Sequence, residues 1–149
     1  MTYRAVEVLK SADVICAEDT RRARILLEHY GITHKPLSYR DENAERMAPQ
    51  IARWIGDGKS VALISDAGTP GISDPGFSLI RAALDAGIKV VSIPGPAALI
   101  AALSISGFPT NKFVFEGFLP VKSGARKKRI NELKGLKQTV VFYESPHRI

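Results

Sequence analysis

The residues best suited to chemistry lie in one glycine-rich loop. Residues 65–76 read SDAGTPGISDPG and follow a short apolar run. A glycine-rich turn between a strand and a helix usually holds a phosphate, because backbone N–H groups and the helix N-terminus carry partial positive charge. This loop lacks the Lys-Ser/Thr pair of a phosphate-binding loop, and Asp66 and Asp74 would repel an anion. The loop therefore favours a ligand that offers hydroxyl groups or carries positive charge.

Within this loop the residue types indicate different roles. Asp66 can accept hydrogen bonds from hydroxyl or ammonium groups, and Gly68 and Gly71 let the backbone approach a ligand without an intervening Cβ. Asp74 stands in Ser-Asp-Pro-Gly, which fits a helix N-cap followed by proline at the first helical position. We therefore predict a structural role for Asp74.

Three further stretches follow apolar runs. Pro94-Gly95-Pro96-Ala97 fits the floor of a ligand pocket, or a rigid turn before a helix. Glu18-Asp19-Thr20-Arg21 offers Asp19 and Arg21 to a cleft, although Thr20 can also simply cap a helix. Glu144-Ser145-Pro146-His147 offers two proton acceptors, although it can equally be a structural turn. No Ser-His-Asp or paired-carboxylate spacing singles out one catalytic base.

Strands and helices alternate around these stretches. The hydrophobic pattern predicts strands at residues 13–18, 61–64, 90–93, 112–118 and 139–143, a loop at 32–41, and helices at 2–11, 20–30, 43–57, 77–85 and 97–106. This order predicts an α/β fold with a parallel sheet, whose ligand lies outside the carboxyl ends of the strands. We place an N-terminal domain at residues 1–109 and the beginning of a second α/β domain at 110–149.

The composition is that of an ordinary globular protein, with 45% hydrophobic and 24% charged residues in 149. No stretch is long and apolar enough for a membrane span, and we expect a cytoplasmic protein. The single Cys16 is predicted to be a small buried hydrophobe. No spacing of histidine and cysteine indicates a metal site.

Positive charge is concentrated in one segment. The chain has a net charge of +6, and residues 120–137 hold seven basic residues against one acidic residue. Such a segment is either a solvated face or a binding site for a polyanion. The candidate contacts for such a polyanion are Lys122, Arg126, Lys127 and Arg129.

Taken together and in this order, these stretches resemble the tetrapyrrole methylase superfamily of class III S-adenosylmethionine-dependent methyltransferases. The resemblance rests on AEDTR at 17–21, the loop at 65–76, PGPA at 94–97, and EGFLP at 116–120 followed by FYESPHR at 142–148. Within the superfamily it is closest to the branch that 2′-O-methylates a cytidine ribose in small-subunit (16S) ribosomal RNA. It implies a homodimer that uses S-adenosylmethionine (SAM) and acts on ribosomal RNA in an assembled particle, with no metal.

The resemblance also implies the site residues. The catalytic candidates are Asp19, Arg21, Glu144 and His147. The cofactor-binding candidates are Ser65, Asp66, Ala67, Gly68, Thr69, Pro70, Gly71, Pro94, Gly95, Pro96 and Ala97. Members of this family normally begin with an extra strand and continue past the equivalent of Ile149, so we expect a chain truncated at both ends and of doubtful activity by itself.

Two alternatives stay open. A methyltransferase that acts on carbon in a tetrapyrrole would share the fold and the cofactor loops, and its polycarboxylate substrate would also suit basic residues. A non-catalytic module would use the basic segment to hold RNA and would not bind SAM.

Overall fold

The computed structural model describes all 149 residues, and the chain divides into two compact units. These units are Met1–Pro96 and Ala97–Ile149. Each contains a parallel sheet and helices, which confirms the predicted α/β class. The domain boundary expected after residue 109 stays a prediction. None of the helices combines the length and apolar composition that crossing a membrane requires.

The first unit is built around a three-stranded sheet in the order β2-β1-β3, with both pairs parallel. Its elements, in chain order, are α1 (Tyr3–Ser11), β1 (Val14–Ala17), α2 (Thr20–His29), β2 (Leu37–Ser38), a 3-10 turn (Asp41–Asn43), α3 (Ala44–Gly56), β3 (Val61–Ile64) and α4 (Phe77–Asp85). Strand β3 and helix α4 lie at the residues predicted from the sequence.

The central strand β1 connects two hydrophobic clusters. Successive side chains of a strand point to opposite faces, so Ile15 and Cys16 enter different layers. Ile15 packs in a cluster with residues of α1 and α2, and Cys16 packs in a cluster with residues of α3 and α4. Cys16 is fully buried, as predicted, and its burial raises the pKa of the thiol to about 11. Helices on both faces of the sheet leave its strand ends as the place for a ligand.

The second unit holds a two-stranded parallel sheet. Its elements are α5 (Ala98–Ile105), β4 (Phe113–Phe118), α6 (Ser123–Leu133), β5 (Thr139–Tyr143) and a 3-10 turn (Pro146–Arg148). Tyr143 stacks edge-on against Phe115 with the ring centroids 5.0 Å apart, and its hydroxyl accepts a hydrogen bond from the Leu99 amide at 3.2 Å. Because Leu99 lies in the first turn of α5, this bond satisfies one of the amides that a helix N-terminus leaves free.

Two predicted elements were wrong. Residues 90–93 form no strand: their backbone has no partner strand, and Val90 and Val91 are 43% and 52% exposed. An apolar run predicts strand conformation only locally, whereas a strand exists through its ladder of hydrogen bonds. The region 32–41, predicted as a loop, contains the two-residue strand β2, which pairs with Cys16 and Ala17 of β1.

Candidate active site in the first unit and basic helix in the second

The carboxyl ends of β1 and β3 lie side by side, because Ala17 is in register with Ile64. The acidic residues that follow these strands are therefore neighbours. The Asp19 amide donates to Asp66 Oδ1 at 3.2 Å, and the Asp66 amide donates to Glu18 Oε2 at 3.4 Å. These two bonds connect the chain segments that leave the two strands, and they fix Asp66 at the edge of the sheet.

A cleft of about 250 Å³ opens at this edge. Five carboxylates and one guanidinium line it, which gives it strongly negative character. No group of three or more of the His, Cys, Asp and Glu side chains is arranged to hold a metal ion. The lining residues are Glu18, Asp19, Arg40, Asp41, Glu42, Asp66 and Pro75.

Asp19 is engaged with its own helix and with Arg21. It is the N-cap of α2, where Oδ1 accepts from the Arg21 amide at 2.8 Å, so the prediction of Thr20 as the cap was wrong. The Arg21 guanidinium also binds both carboxylate oxygens, at 3.1 and 2.7 Å. These hydrogen bonds from Arg21 hold the pKa of Asp19 well below its usual range. A carboxylate held in this way is a weak proton acceptor at neutral pH.

The glycines of the loop are required by packing within the loop and against α4. Gly71 has φ +81°, and a Cβ on it would lie 3.2 Å from Ile80 Cδ1. Gly76 has φ +138°, and its Cβ would lie 3.0 Å from Leu63 Cδ2 and 3.2 Å from the Gly71 amide nitrogen. A side chain at either position would therefore strain the backbone and displace a neighbour. The free face of Gly71 is turned to Ile80, so the ligand contact proposed for it stays a prediction.

Asp74 does not cap α4, contrary to the prediction. The N-cap is Gly76, which has no side chain to accept a hydrogen bond, and Ser73 adopts a left-handed conformation with φ +59°. Asp74 is half-buried instead. Its burial, followed by the charges of Glu18 and Asp66, raises the pKa of its carboxyl, and a hydrogen bond with the Ser65 hydroxyl partly offsets this rise. Asp74 is thus electrostatically part of the acidic edge.

The turn at residues 94–97 is open. Pro94, Gly95 and Pro96 are exposed, and a Cβ on Gly95 would meet no atom within 4 Å. The Thr2 hydroxyl donates to the Pro94 carbonyl at 3.3 Å, which connects this turn to the N-terminus of α1. Ala97 is the N-cap of α5 in the second unit. Gly95 therefore has room for a ligand that packs directly on its backbone.

In the second unit, one of the two catalytic candidates is bound in an ion pair. Glu144 Oε1 lies 2.5 Å from Arg148 Nη2 and also accepts from the Ser145 amide at 2.7 Å. His147 is exposed, and its imidazole makes neither a hydrogen bond nor an ion pair. The His147 amide donates to the Ser145 hydroxyl at 3.3 Å, which fixes the backbone of the turn.

Helix α6 carries the basic segment. Lys122 is its N-cap residue, Lys127 is exposed, and Arg126 Nη1 donates to the Val121 carbonyl at 3.3 Å. Arg129 forms ion pairs with Glu116 of β4 and Glu132 of the same helix. The four predicted RNA contacts thus differ in how much of their charge is available to a partner.

A model of the family described as Tetrapyrrole (Corrin/Porphyrin) Methylases matches residues 1–149. The chain belongs to the tetrapyrrole methylase family. It is also 50% identical over its whole length to a protein of Mesorhizobium japonicum, 53% to one of Xylella fastidiosa and 45% to one of Escherichia coli O157:H7. All three carry the name ribosomal RNA small subunit methyltransferase I. The chain covers 51%, 55% and 52% of their lengths, so it spans about half of these relatives.

The resemblance stated from the motifs is therefore confirmed at the level of the family. The sequence reasoning missed Glu18, Arg40, Asp41 and Glu42 as lining residues of the cleft. Arg40 Nε donates to the Glu18 carbonyl at 2.9 Å, and so it binds the end of β1 directly. The signal that could have found the last three is β2: because residues 40–42 follow this strand, they reach the same edge of the sheet. Glu18 directly follows β1. A strand of two residues is too short for hydrophobic alternation to reveal it.

Proposed function

We propose that the chain is part of an RNA methyltransferase that transfers the methyl group of SAM to the ribose 2′-oxygen of a cytidine in 16S ribosomal RNA. The observation that carries this proposal is the identity of 45–53% across the entire chain with proteins named for ribosomal RNA methylation. The nucleoside and the 2′-oxygen follow from the motif resemblance alone. Because the relatives are about twice as long, the activity belongs to the whole protein.

The acidic cleft has the chemistry of a SAM site. SAM carries ribose hydroxyls, an ammonium group and a cationic sulfur, and has no phosphate, so carboxylates suit it where a nucleotide phosphate would be repelled. Glu18 and Asp66 present carboxylate oxygens at the cleft, although Asp66 Oδ2 also lies 3.3 Å from Arg22 Nη1. Gly95 offers backbone without a Cβ and with open space above it. When bound, SAM would supply a methyl group on a positively charged sulfur.

The residues of the chain must then hold the acceptor hydroxyl in line and remove its proton. Three of the four candidates are already engaged, since Asp19 is paired with Arg21 and Glu144 with Arg148. His147 has a free imidazole, and imidazole is the side chain used most often for proton transfer near neutral pH. We propose His147 as the proton acceptor, and Asp19 with Arg21 as a rigid unit at the cofactor cleft.

We also propose that the protein works as a homodimer in the cytoplasm on an assembled small subunit. Light scattering of the intact gene product tests the dimer. Methylation of assembled subunits, compared with naked 16S RNA, tests the state of the substrate.

The activity is tested with the intact gene product, methyl-labelled SAM and small ribosomal subunits from cells that lack the modification. Nucleoside analysis should find the label in 2′-O-methylcytidine. His147→Asn should lower kcat by about 10²–10⁴-fold, whereas the control His34→Asn, which removes an imidazole outside the candidate site, should not. Labelled porphyrinogen without labelled RNA would establish the tetrapyrrole alternative, and RNA binding without SAM binding would establish the non-catalytic module.

A further inference from the structure

Helix α6 has two faces, and they differ in how much of their positive charge is free to bind a partner. The side chains at Arg126, Arg129 and Leu133 are partly buried, and their spacing of three and four residues places them on one side of the helix. Lys127, Lys128, Asn131 and Lys134 are exposed. The basic residues of the segment therefore do not form one continuous cationic surface.

Arg129 on the inner face is neutralised. Its Nε and Nη2 bind the two carboxylate oxygens of Glu116, and Nη1 binds Glu132 Oε2 at 2.9 Å. Glu116 lies at an irregularity of β4, where the register with β5 shifts between Phe115 and Gly117. The Glu116 side chain is 16% exposed and the Arg129 side chain is 40% exposed, so water reaches this bidentate pair mainly from the arginine side. A guanidinium held by two carboxylates has little attraction left for a phosphate.

The outer face keeps its charge. No salt bridge joins Lys127, Lys128 or Lys134 to a carboxylate. Lys127, Asn131 and Lys134 stand at positions i, i+4 and i+7, which form one stripe roughly 10 Å long at 1.5 Å per residue. Lys128 lies beside Asn131 on the other side of this stripe. The only acidic residue of the segment, Glu132, is turned to Arg129.

We propose that this outer face of α6 binds the phosphate backbone of RNA through Lys127, Lys128 and Lys134, while Arg129 fastens the helix to the sheet and does not contact RNA. The choice of RNA as the polyanion rests on the proposed function. Lysine ammonium groups act on phosphate as mobile point charges, so this contact adds affinity without sequence preference. Base recognition must come from elsewhere in the protein.

The composition of the outer face argues against an anionic membrane as the partner. Helices that lie on a lipid surface place apolar side chains beside their lysines and bury them among the acyl chains. The outer face of α6 presents Lys127, Lys128, Asn131 and Lys134, and a single large apolar side chain, Ile130, lies at its margin with 37% exposure. A flexible polyanion needs only the charges.

The test uses the intact gene product and a fluorescein-labelled single-stranded RNA, with Kd measured by anisotropy between about 50 and 200 mM salt. Each of Lys127→Ala, Lys128→Ala and Lys134→Ala should lower the slope of log Kd against log salt by about 0.7. Across this fourfold range, the loss of affinity caused by salt then becomes about 2.6-fold smaller per variant. The control Lys10→Ala removes the same charge from an exposed position at the end of α1 and should leave the slope unchanged.

Arg129 is tested in a variant that conserves net charge. Glu116→Gln with Arg129→Gln removes one charge of each sign, and the slope should stay at the wild-type value even if the helix is held less firmly and Kd rises uniformly. Circular dichroism shows whether the fold is kept.

The outcomes separate this inference from the proposed function. Unchanged slopes for all three lysine variants in a protein that methylates RNA would overturn the inference alone. Lowered slopes in a protein that never methylates RNA would support the inference and refute the proposed reaction. A slope lowered by about 0.7 in the Glu116/Arg129 double variant would make Arg129 a phosphate contact. Lysine-dependent binding to phosphatidylserine vesicles but not to RNA would also overturn it.

Discussion

Gly95 offers a test of cofactor contact that is free of structural side effects. A Cβ at Gly95 meets nothing within 4 Å, and its φ lies outside the left-handed region. Gly95→Ala should therefore leave the free energy of unfolding unchanged or raise it by about 0.4–1 kcal/mol, because alanine restricts the unfolded chain. If SAM packs on this backbone, the added methyl group collides with it at about 1–3 kcal/mol, which raises Kd about 5- to 150-fold.

Two other glycines calibrate this result. Gly56 also has an ordinary φ and open space for a Cβ, so Gly56→Ala is the matched control and should bind SAM normally. Gly71→Ala should lose about 1–2 kcal/mol of stability from its positive φ alone, with the Ile80 overlap in addition. Calorimetric titration with SAM and urea unfolding measure both quantities on the intact gene product. Equal SAM affinity for Gly95→Ala, Gly56→Ala and wild type would refute the contact at Gly95.

Three further predictions concern the first unit. The Tyr39 hydroxyl is buried without a hydrogen-bond partner. Tyr39→Phe should therefore raise the free energy of unfolding, measured in urea, by about 1 kcal/mol. A free energy of unfolding below that of the wild type would mean that the hydroxyl forms a hydrogen bond. Ser73→Gly should relieve the strain of the left-handed backbone at φ +59° and raise the free energy of unfolding by about 0.5–1 kcal/mol. An unchanged urea midpoint would contradict this prediction. Because burial and Glu18 raise the folded-state pKa of Asp74, its charge costs stability above that pKa, and the cost disappears as pH falls below the unfolded pKa of about 4. Asp74→Asn should therefore raise the urea midpoint at pH 7 and not at acid pH, and equal effects at both pH values would refute this.

The elements that the sequence predicted well are those with a strong local signal. Helix α4 has an apolar face and ends near Gly87, and β3 is a continuous apolar run; both lie at the predicted residues. Residues 90–93 are also mostly apolar, with only Ser92 polar, but they form no strand. The difference is not local, because β3 has β1 as a neighbour and residues 90–93 have none. The hydrophobic pattern indicates which residues tend to be buried. Whether such a run pairs as a strand depends on whether the fold places another strand next to it.

The location of the candidate site could be predicted from the sequence, but the ion pairs between its side chains could not. The rule that ligands lie beyond the carboxyl ends of parallel strands placed Asp19 and Asp66 at one edge, and the two residues do share a hydrogen bond there. The sequence did not show that Asp19 would form an ion pair with Arg21, or Glu144 with Arg148. These pairings depend on side-chain directions over a single helical turn, and they decide which acidic residue could still accept a proton.

The glycine-rich loop shows why the same residues can indicate a ligand and still be structural. Close approach of a ligand was predicted at Gly68 and Gly71, yet a Cβ on Gly71 would meet Ile80, and one on Gly76 would meet Leu63. Their positive φ values fold the loop tightly over α4, with the Gly71 amide bonded to the Pro75 carbonyl at 3.2 Å. Burial of Asp74 in this tight fold, and then the nearby charges of Glu18 and Asp66, raise the pKa of its carboxyl. The loop glycines thus help to concentrate negative charge at the sheet edge, and a cation bound there would lower the cost of that concentration.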